Sequence, residues 1–137
     1  MCSASGNAVS DDLNRAATQA GIDSFMQSFG RVGDQFQLLL EHAPAAFAGY
    51  GLIRSGLMRP PGAGGALDLK TKELVFTLLD VLAGDTGGAH NHAKAAMGFG
   101  LTLPELAEGL VQVIMVGGIT TWNLLGADVL RACAAEP

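Results

Sequence analysis

From Leu74 to Leu82 the chain surrounds one polar stripe with leucine, valine and phenylalanine. The stripe is Glu73, Thr77 and Asp80, at i, i+4 and i+7, a spacing that puts all three on one helix face. A helix apolar over the rest of its circumference has to be covered, by a core or by an assembly. Asp68 precedes it as an N-cap, because a carboxylate there accepts a bond from a free N–H of the first turn. Gly84, Gly87 and Gly88 then punctuate a turn, and a second helix opens with a small-residue face of Ala89, Ala93 and Ala96, continued by Met97 and Gly100. His92 lies near the start of that helix, at the edge of the stripe. A carboxylate on one helix facing an imidazole on the next is the one arrangement in the chain that looks like chemistry.

The flanking segments read as helices too. Residues 1–10 are small and polar and read as a flexible tail, followed by a single domain over 11–137. Ser10 caps a short helix that Gly21 stops, and residues 22–29 form a short amphipathic helix. Residues 34–42 form a further helix with Phe36, Leu39 and Leu40 inward. Pro44 opens a helix over about 45–58, whose Ala45, Ala46, Ala48, Gly49, Gly51 and Gly56 suit close packing. Residues 60–65, PPGAGG, form a breaker and loop. Thr102 and Glu105 have capping-box spacing with Pro104 between them, so a helix runs from there to about Met115. Gly117-Gly118 breaks it, and the last helix covers 119–134. Valine, isoleucine and threonine are frequent in 111–121, but no alternating partner strand exists. The fold class is therefore all-α, with about six to seven helices.

Charge and cysteine content narrow the function classes. The chain has 137 residues, 49% hydrophobic and only 15% charged, which suggests apolar surface covered by partner subunits. Net charge is −5 with no basic run, so nucleic acid is not an expected partner. The uncharged run 109–125 is too short and too broken for a membrane span, and the N-terminus lacks the basic and apolar regions of a signal peptide. A cytoplasmic protein with a small-molecule substrate is the expectation. Cys2 and Cys133 lie near opposite ends and form no metal or redox motif.

Each candidate residue has two readings. Glu73 either polarises His92 or pairs with Lys70 or Lys72 near the helix start. His92 is either a packed residue or a general acid–base, since histidine titrates near neutrality. His90 and His92 are two apart and point about 200° from one another on a helix, so they do not grip one ion; no metal and no cofactor are expected. His90 reads as solvated beside Lys94 or near the pocket mouth. Asp85 is a turn residue or cap, or a substrate contact. Asp80 continues the Glu73 stripe, or ends it at solvent. Arg54 and Arg31, with Arg59, are candidates to hold a substrate carboxylate in bidentate fashion, although single arginines are more often surface residues. Met26, Phe29, Phe47 and Trp122 are candidate pocket walls.

Leu67-Asp68, Lys72-Glu73-Leu74, His92-x3-Ala96-x3-Gly100, Glu105, Glu108 and Gly117-Gly118 together resemble the carboxymuconolactone decarboxylase family, which includes the AhpD group of alkyl hydroperoxidases. The resemblance covers roughly residues 28–133. It implies an all-α, AhpD-like fold, assembly into a trimer or hexamer with sites near subunit contacts, and roles for Glu73 and His92 in a proton relay. The peroxidase branch carries a Cys-x-x-Cys pair ending four residues before the histidine; here those positions are Asp85 and Gly88. Reduction of a hydroperoxide needs a low-pKa thiolate and a resolving thiol. Resemblance to the decarboxylase branch implies instead a cofactor-free lyase or isomerase acting on a small organic acid or lactone. A peroxidase and a non-catalytic oligomeric binding protein are the alternatives.

Overall fold

The computed structural model describes residues 4–136, with side chains from Ser10 onward. Cys2 and the first three residues of the expected tail lie outside that range. The chain divides into two compact units, one ending at Arg59 and one beginning at Pro60.

The first unit contains α1 (Ala4–Phe29), α2 (Asp34–His42) and α3 (Pro44–Leu57). Helix α1 is continuous, where the sequence suggests a tail to Ser10, a stop at Gly21 and a second helix. Gly21 is buried inside α1 because it is a crossing point. A Cβ there would lie 2.7 Å from Gly51 Cα on α3, and a Cβ on Gly51 would lie 2.6 Å from Gly21 Cα. Only a glycine pair lets the two backbones come this close. Around the crossing, Phe25 packs against Phe36 with ring centroids 4.6 Å apart, and Phe36 against Tyr50 at 5.1 Å, within the range of favourable aromatic pairs. Phe47 is fully buried beside them.

The second unit contains α4 (Leu69–Ala83), α5 (Thr86–Gly98), α6 (Leu103–Gly117) and a continuous helical run of α7 (Ile119–Thr121), a π-helical turn (Trp122–Gly126) and α8 (Ala127–Ala135). With that run counted as one helix, the described residues form seven helices and no strand. Pro61 and Gly65 make one isolated bridge in the loop. Local chemistry sets the boundaries. Asp68 Oδ1 accepts from Thr71 N at 2.7 Å and caps α4; those Thr71 bonds hold its carboxyl below the usual carboxylate range. Gly84 ends α4 in the left-handed region at φ 80°, which glycine enters without a Cβ clash. Thr102 and Glu105 form the reciprocal capping box at the start of α6.

Ala89, Ala93 and Ala96 of α5 are completely buried, with Leu106, Leu110 and Val113 of α6 and Leu125 and Val129 of the last run. The small α5 face lets this helix sit deep in the unit. Helix α4 packs on α6 where Leu74 and Leu78 lie against Gly109 and Leu82 against Gly117. Val75 and Leu79 remain exposed, and Leu82 is part-exposed at the α6 contact. Among the described residues no helix is long and apolar enough to cross a membrane.

Candidate functional site

The α4 stripe and the α5 histidine meet. His92 Nδ1 lies 2.6 Å from Glu73 Oε2. Glu73 is fully buried, whereas the His92 side chain keeps 16% of its surface exposed. A carboxylate accepts only, so the proton in this bond sits on Nδ1, which donates. The outer nitrogen, Nε2, is then a lone pair in the neutral ring and a second N–H in the cation. Phe76 stacks on the imidazole at 4.6 Å between centroids and 25° between planes, which dries one ring face and fixes its tilt. Thr77 does not serve the carboxylate, because its Oγ1 donates to the Glu73 backbone carbonyl at 2.8 Å. Glu73 Oε1 has no hydrogen-bond partner among the described residues.

Asp80 completes the stripe and does not end at solvent. Its Oδ2 lies 3.8 Å from His92 Nε2, with 24% of the side chain exposed. His92 therefore stands between two carboxylates on the same α4 face, one dry at Nδ1 and one half-buried toward Nε2. Burial pushes the Asp80 carboxyl above its ordinary value; the His92 charge opposes this and Asp85 reinforces it. A raised native pKa means that the folded state binds this proton more tightly than the unfolded chain does. Stability then falls as pH rises from about 3.8 through the raised value, and the ionised group keeps that cost at neutral pH. Asp80→Asn is accordingly expected to melt above wild type at pH 7, the gap closing below pH ~3.8; thermal melts across pH 3–8 measure it.

The other expected residues are distributed as follows. Asp85 is the α5 N-cap, its Oδ1 accepting from Gly88 N at 3.0 Å, and its carboxyl also flanks the site at Gly88. A Cβ on Gly88 would lie 2.5 Å from Asp80 Oδ2 and 2.6 Å from Asp85 Oδ2. His90 does not join His92. It donates Nδ1–H to its own helix at Thr86 O, 2.9 Å away, and lines a groove of about 530 Å³ between α5 and α8 with Asn91, Lys94, Cys133 and Glu136. None of Glu73, Asp80 or His92 lines that groove. Arg54 belongs to the first unit and is buried there, where it donates to Ser24 O and Oγ at 3.1 and 2.6 Å. Its guanidinium lies over the rings of Phe25 and Phe29 at 4.6 and 5.2 Å. It is an internal residue of that unit, where the sequence suggests a substrate clamp. Arg31 is exposed in the bend after α1. Of the expected pocket walls, Phe47 is core, Phe29 covers Arg54, and Trp122 packs against the second-unit core. Sequence reasoning left Asp80 undecided and passed over Phe76; the i+7 spacing from Glu73 is the signal for the first.

Burial, followed by Glu136, pushes the Cys133 thiol above its ordinary value. That is opposite to the shift a peroxide-reducing thiolate needs.

No curated protein matches the chain. The crystal structure of a candidate carboxymuconolactone decarboxylase from Burkholderia xenovorans LB400 superposes with a TM-score of 0.79 at 28% identity, over 86% of this chain and 89% of that one. Residues 44–130 match the model of the carboxymuconolactone decarboxylase family, which is well over half of the sequence and includes every residue of the Glu73–His92–Asp80 group. The chain belongs to the carboxymuconolactone decarboxylase family.

Proposed function

We propose that the protein is a lyase or isomerase that moves protons on a small organic acid or lactone, with His92 as the acid–base group and Glu73 as its anchor. The observation that carries this reading is the 2.6 Å contact between His92 Nδ1 and a fully buried Glu73 carboxylate. A dry carboxylate behind the ring stabilises the imidazolium and fixes the tautomer, so Nε2 is the working atom. In decarboxylation of a carboxylated enol-lactone, the bond between carbon and carboxylate breaks and its electron pair enters the conjugated enolate. Nε2–H then protonates carbon, leaving carbon dioxide, the lactone and a neutral His92 that regains its proton from solvent. The reading calls for no cofactor, since the substrate itself delocalises the charge.

Turnover of carboxymuconolactone, followed as release of carbon dioxide, tests it. His92→Ala is expected to lower kcat by ~10²-fold or more; equal rates in the two proteins remove His92 from the chemistry.

A homo-trimer or homo-hexamer is part of the same proposal. Leu79, Met115 and Val116 are 56%, 80% and 80% exposed in the single chain, and large exposed apolar surface favours association. Sedimentation equilibrium is expected to give three or six times the chain mass of 14.0 kDa; a species of one chain mass contradicts the assembly.

A further inference from the structure

Three features sit together beyond the Glu73–His92 pair. Asp80 Oδ2 lies 3.8 Å from His92 Nε2, a separation that one water bridges with short hydrogen bonds on either side. Gly88 leaves the space over its Cα to the Asp80 and Asp85 carboxylates, each within 2.6 Å of where a Cβ would stand. Those two oxygens are therefore no further apart than twice that length. We propose that Asp80 is the second proton carrier of this site: it takes a proton from solvent and hands it through a bridging water to His92 Nε2 once that atom has given its own proton to the substrate. This role rests on the acid–base work assigned to His92 above and extends it by one residue.

The proton has a continuous route. His92 gives its Nε2 proton to the substrate carbon, the Asp80 carboxylic acid gives one to the water, the water passes one to Nε2, and the carboxylate left on Asp80 regains a proton from solvent. Between Asp80 and Nε2 no electron pair moves beyond those of the O–H and N–H bonds. Asp80 suits the task because it is half-buried, unlike Glu73, and so communicates with both the dry pair and the outside. The groups that act on it by charge are His92 from α5 and Asp85 from the α5 cap. Glu73 lies on its own helix face, beyond the imidazole. Helix α6 meets α4 with Gly109 and Gly117 against Leu74, Leu78 and Leu82. Burial is the main cause of the upward displacement of Asp80, and Asp85 adds to it, since two carboxyls beside one another resist losing both protons. The positions that hold two cysteines in the peroxidase branch are here an aspartate and a glycine, and the missing side chain at 88 admits the second carboxyl.

The test uses the whole chain and the variants Asp80→Asn, Asp80→Glu and Asp85→Asn, the last of which keeps an α5 cap. The pH profile of kcat/KM for carboxymuconolactone is recorded together with the ¹³C titration of the Asp80 carboxyl. Asp80→Asn is expected to lower turnover ~10–100-fold and Asp80→Glu to restore part of it. Asp85→Asn is expected to move the Asp80 midpoint and the alkaline limb of the profile downward together. Asp80→Asn turnover within twofold of wild type at every pH overturns the proposal, as does an alkaline limb that stays in place while the carboxyl midpoint moves. Should wild type leave carboxymuconolactone unchanged, the lyase reading fails on its own. Asp80 is then judged by exchange of the His92 ring N–H with water, measured by ¹⁵N NMR. A roughly tenfold slower exchange in Asp80→Asn supports the relay, and equal exchange overturns it.

Discussion

Gly51→Val is expected to destabilise the first unit by about 3 kcal/mol, the upper end of the usual cost of overpacking. The atom that meets the new Cβ is Gly21 Cα at 2.6 Å, with Gly21 N at 3.2 Å and the Ala17 carbonyl oxygen at 3.4 Å behind it. All three are backbone, so no side chain can swing aside. Either α1 moves away from α3, opening the aromatic cluster of Phe25, Phe36 and Phe47, or the helices distort. Gly56→Ala on the same helix is the control. Nothing lies within 4 Å of its added carbon, and alanine favours an exposed helix by up to ~1 kcal/mol over glycine. Hydrogen exchange of the α1 and α3 amides is expected to separate the two variants: fast in Gly51→Val, unchanged or slower in Gly56→Ala. Equal protection in both removes the glycine crossing as the reason that α1 is continuous.

Glu73→Gln is expected to lower turnover by ~10²–10⁴-fold while leaving the melting temperature no lower than wild type. The carboxylate is completely buried and its Oε1 has no hydrogen-bond partner among the described residues. A charge held in that way is costly to fold, and a neutral amide of the same shape relieves the cost. What the amide cannot supply is the negative charge that stabilises an imidazolium at 2.6 Å. Activity and stability should therefore move in different directions, as they do where a site is kept for function at the expense of folding. Parallel measurement of kcat and of the thermal melt decides this. A variant as active as wild type, or one that loses both properties together, contradicts the assignment of Glu73 as the anchor of the acid–base group.

The parts of the molecule that depend on near neighbours were legible in the residues alone. Asp68 and Thr102 cap as their spacing requires, and Gly84 takes the left-handed turn between α4 and α5. The apolar wrap of α4 and the alanine face of α5 point to Glu73 facing His92. The residues alone, however, left Glu73 between His92 and an ion pair with Lys70 or Lys72, and the family resemblance favoured the first. The opposed directions of His90 and His92 follow from about 200° of helix rotation, and the two rings do go to different places. Longer-range features were not legible. Gly21 reads as a stop because its reason for being glycine is Gly51, far along the chain on another helix. Arg54 reads as a substrate clamp because nothing in the sequence shows that Ser24 and two phenylalanines enclose it. Asp80 shares a face with Glu73 by spacing, but whether it reaches the imidazole depends on the angle that the Gly84–Asp85 turn gives to α5. The π-helical turn at Trp122–Gly126 was not legible either; its Gly126 faces Leu110 of α6, whose side chain lies 3.7 Å from where a Cβ would stand.

The account as a whole requires an imidazole tied by its inner nitrogen to a dry carboxylate. The ¹⁵N spectrum of His92, assigned by loss of its signals in His92→Ala, reads this directly. Neutral His92 is expected to carry its proton on Nδ1, with a cross-peak of that proton to the Glu73 side chain. A neutral ring protonated on Nε2 instead, with Nδ1 bare, would contradict the geometry on which the proposed chemistry depends.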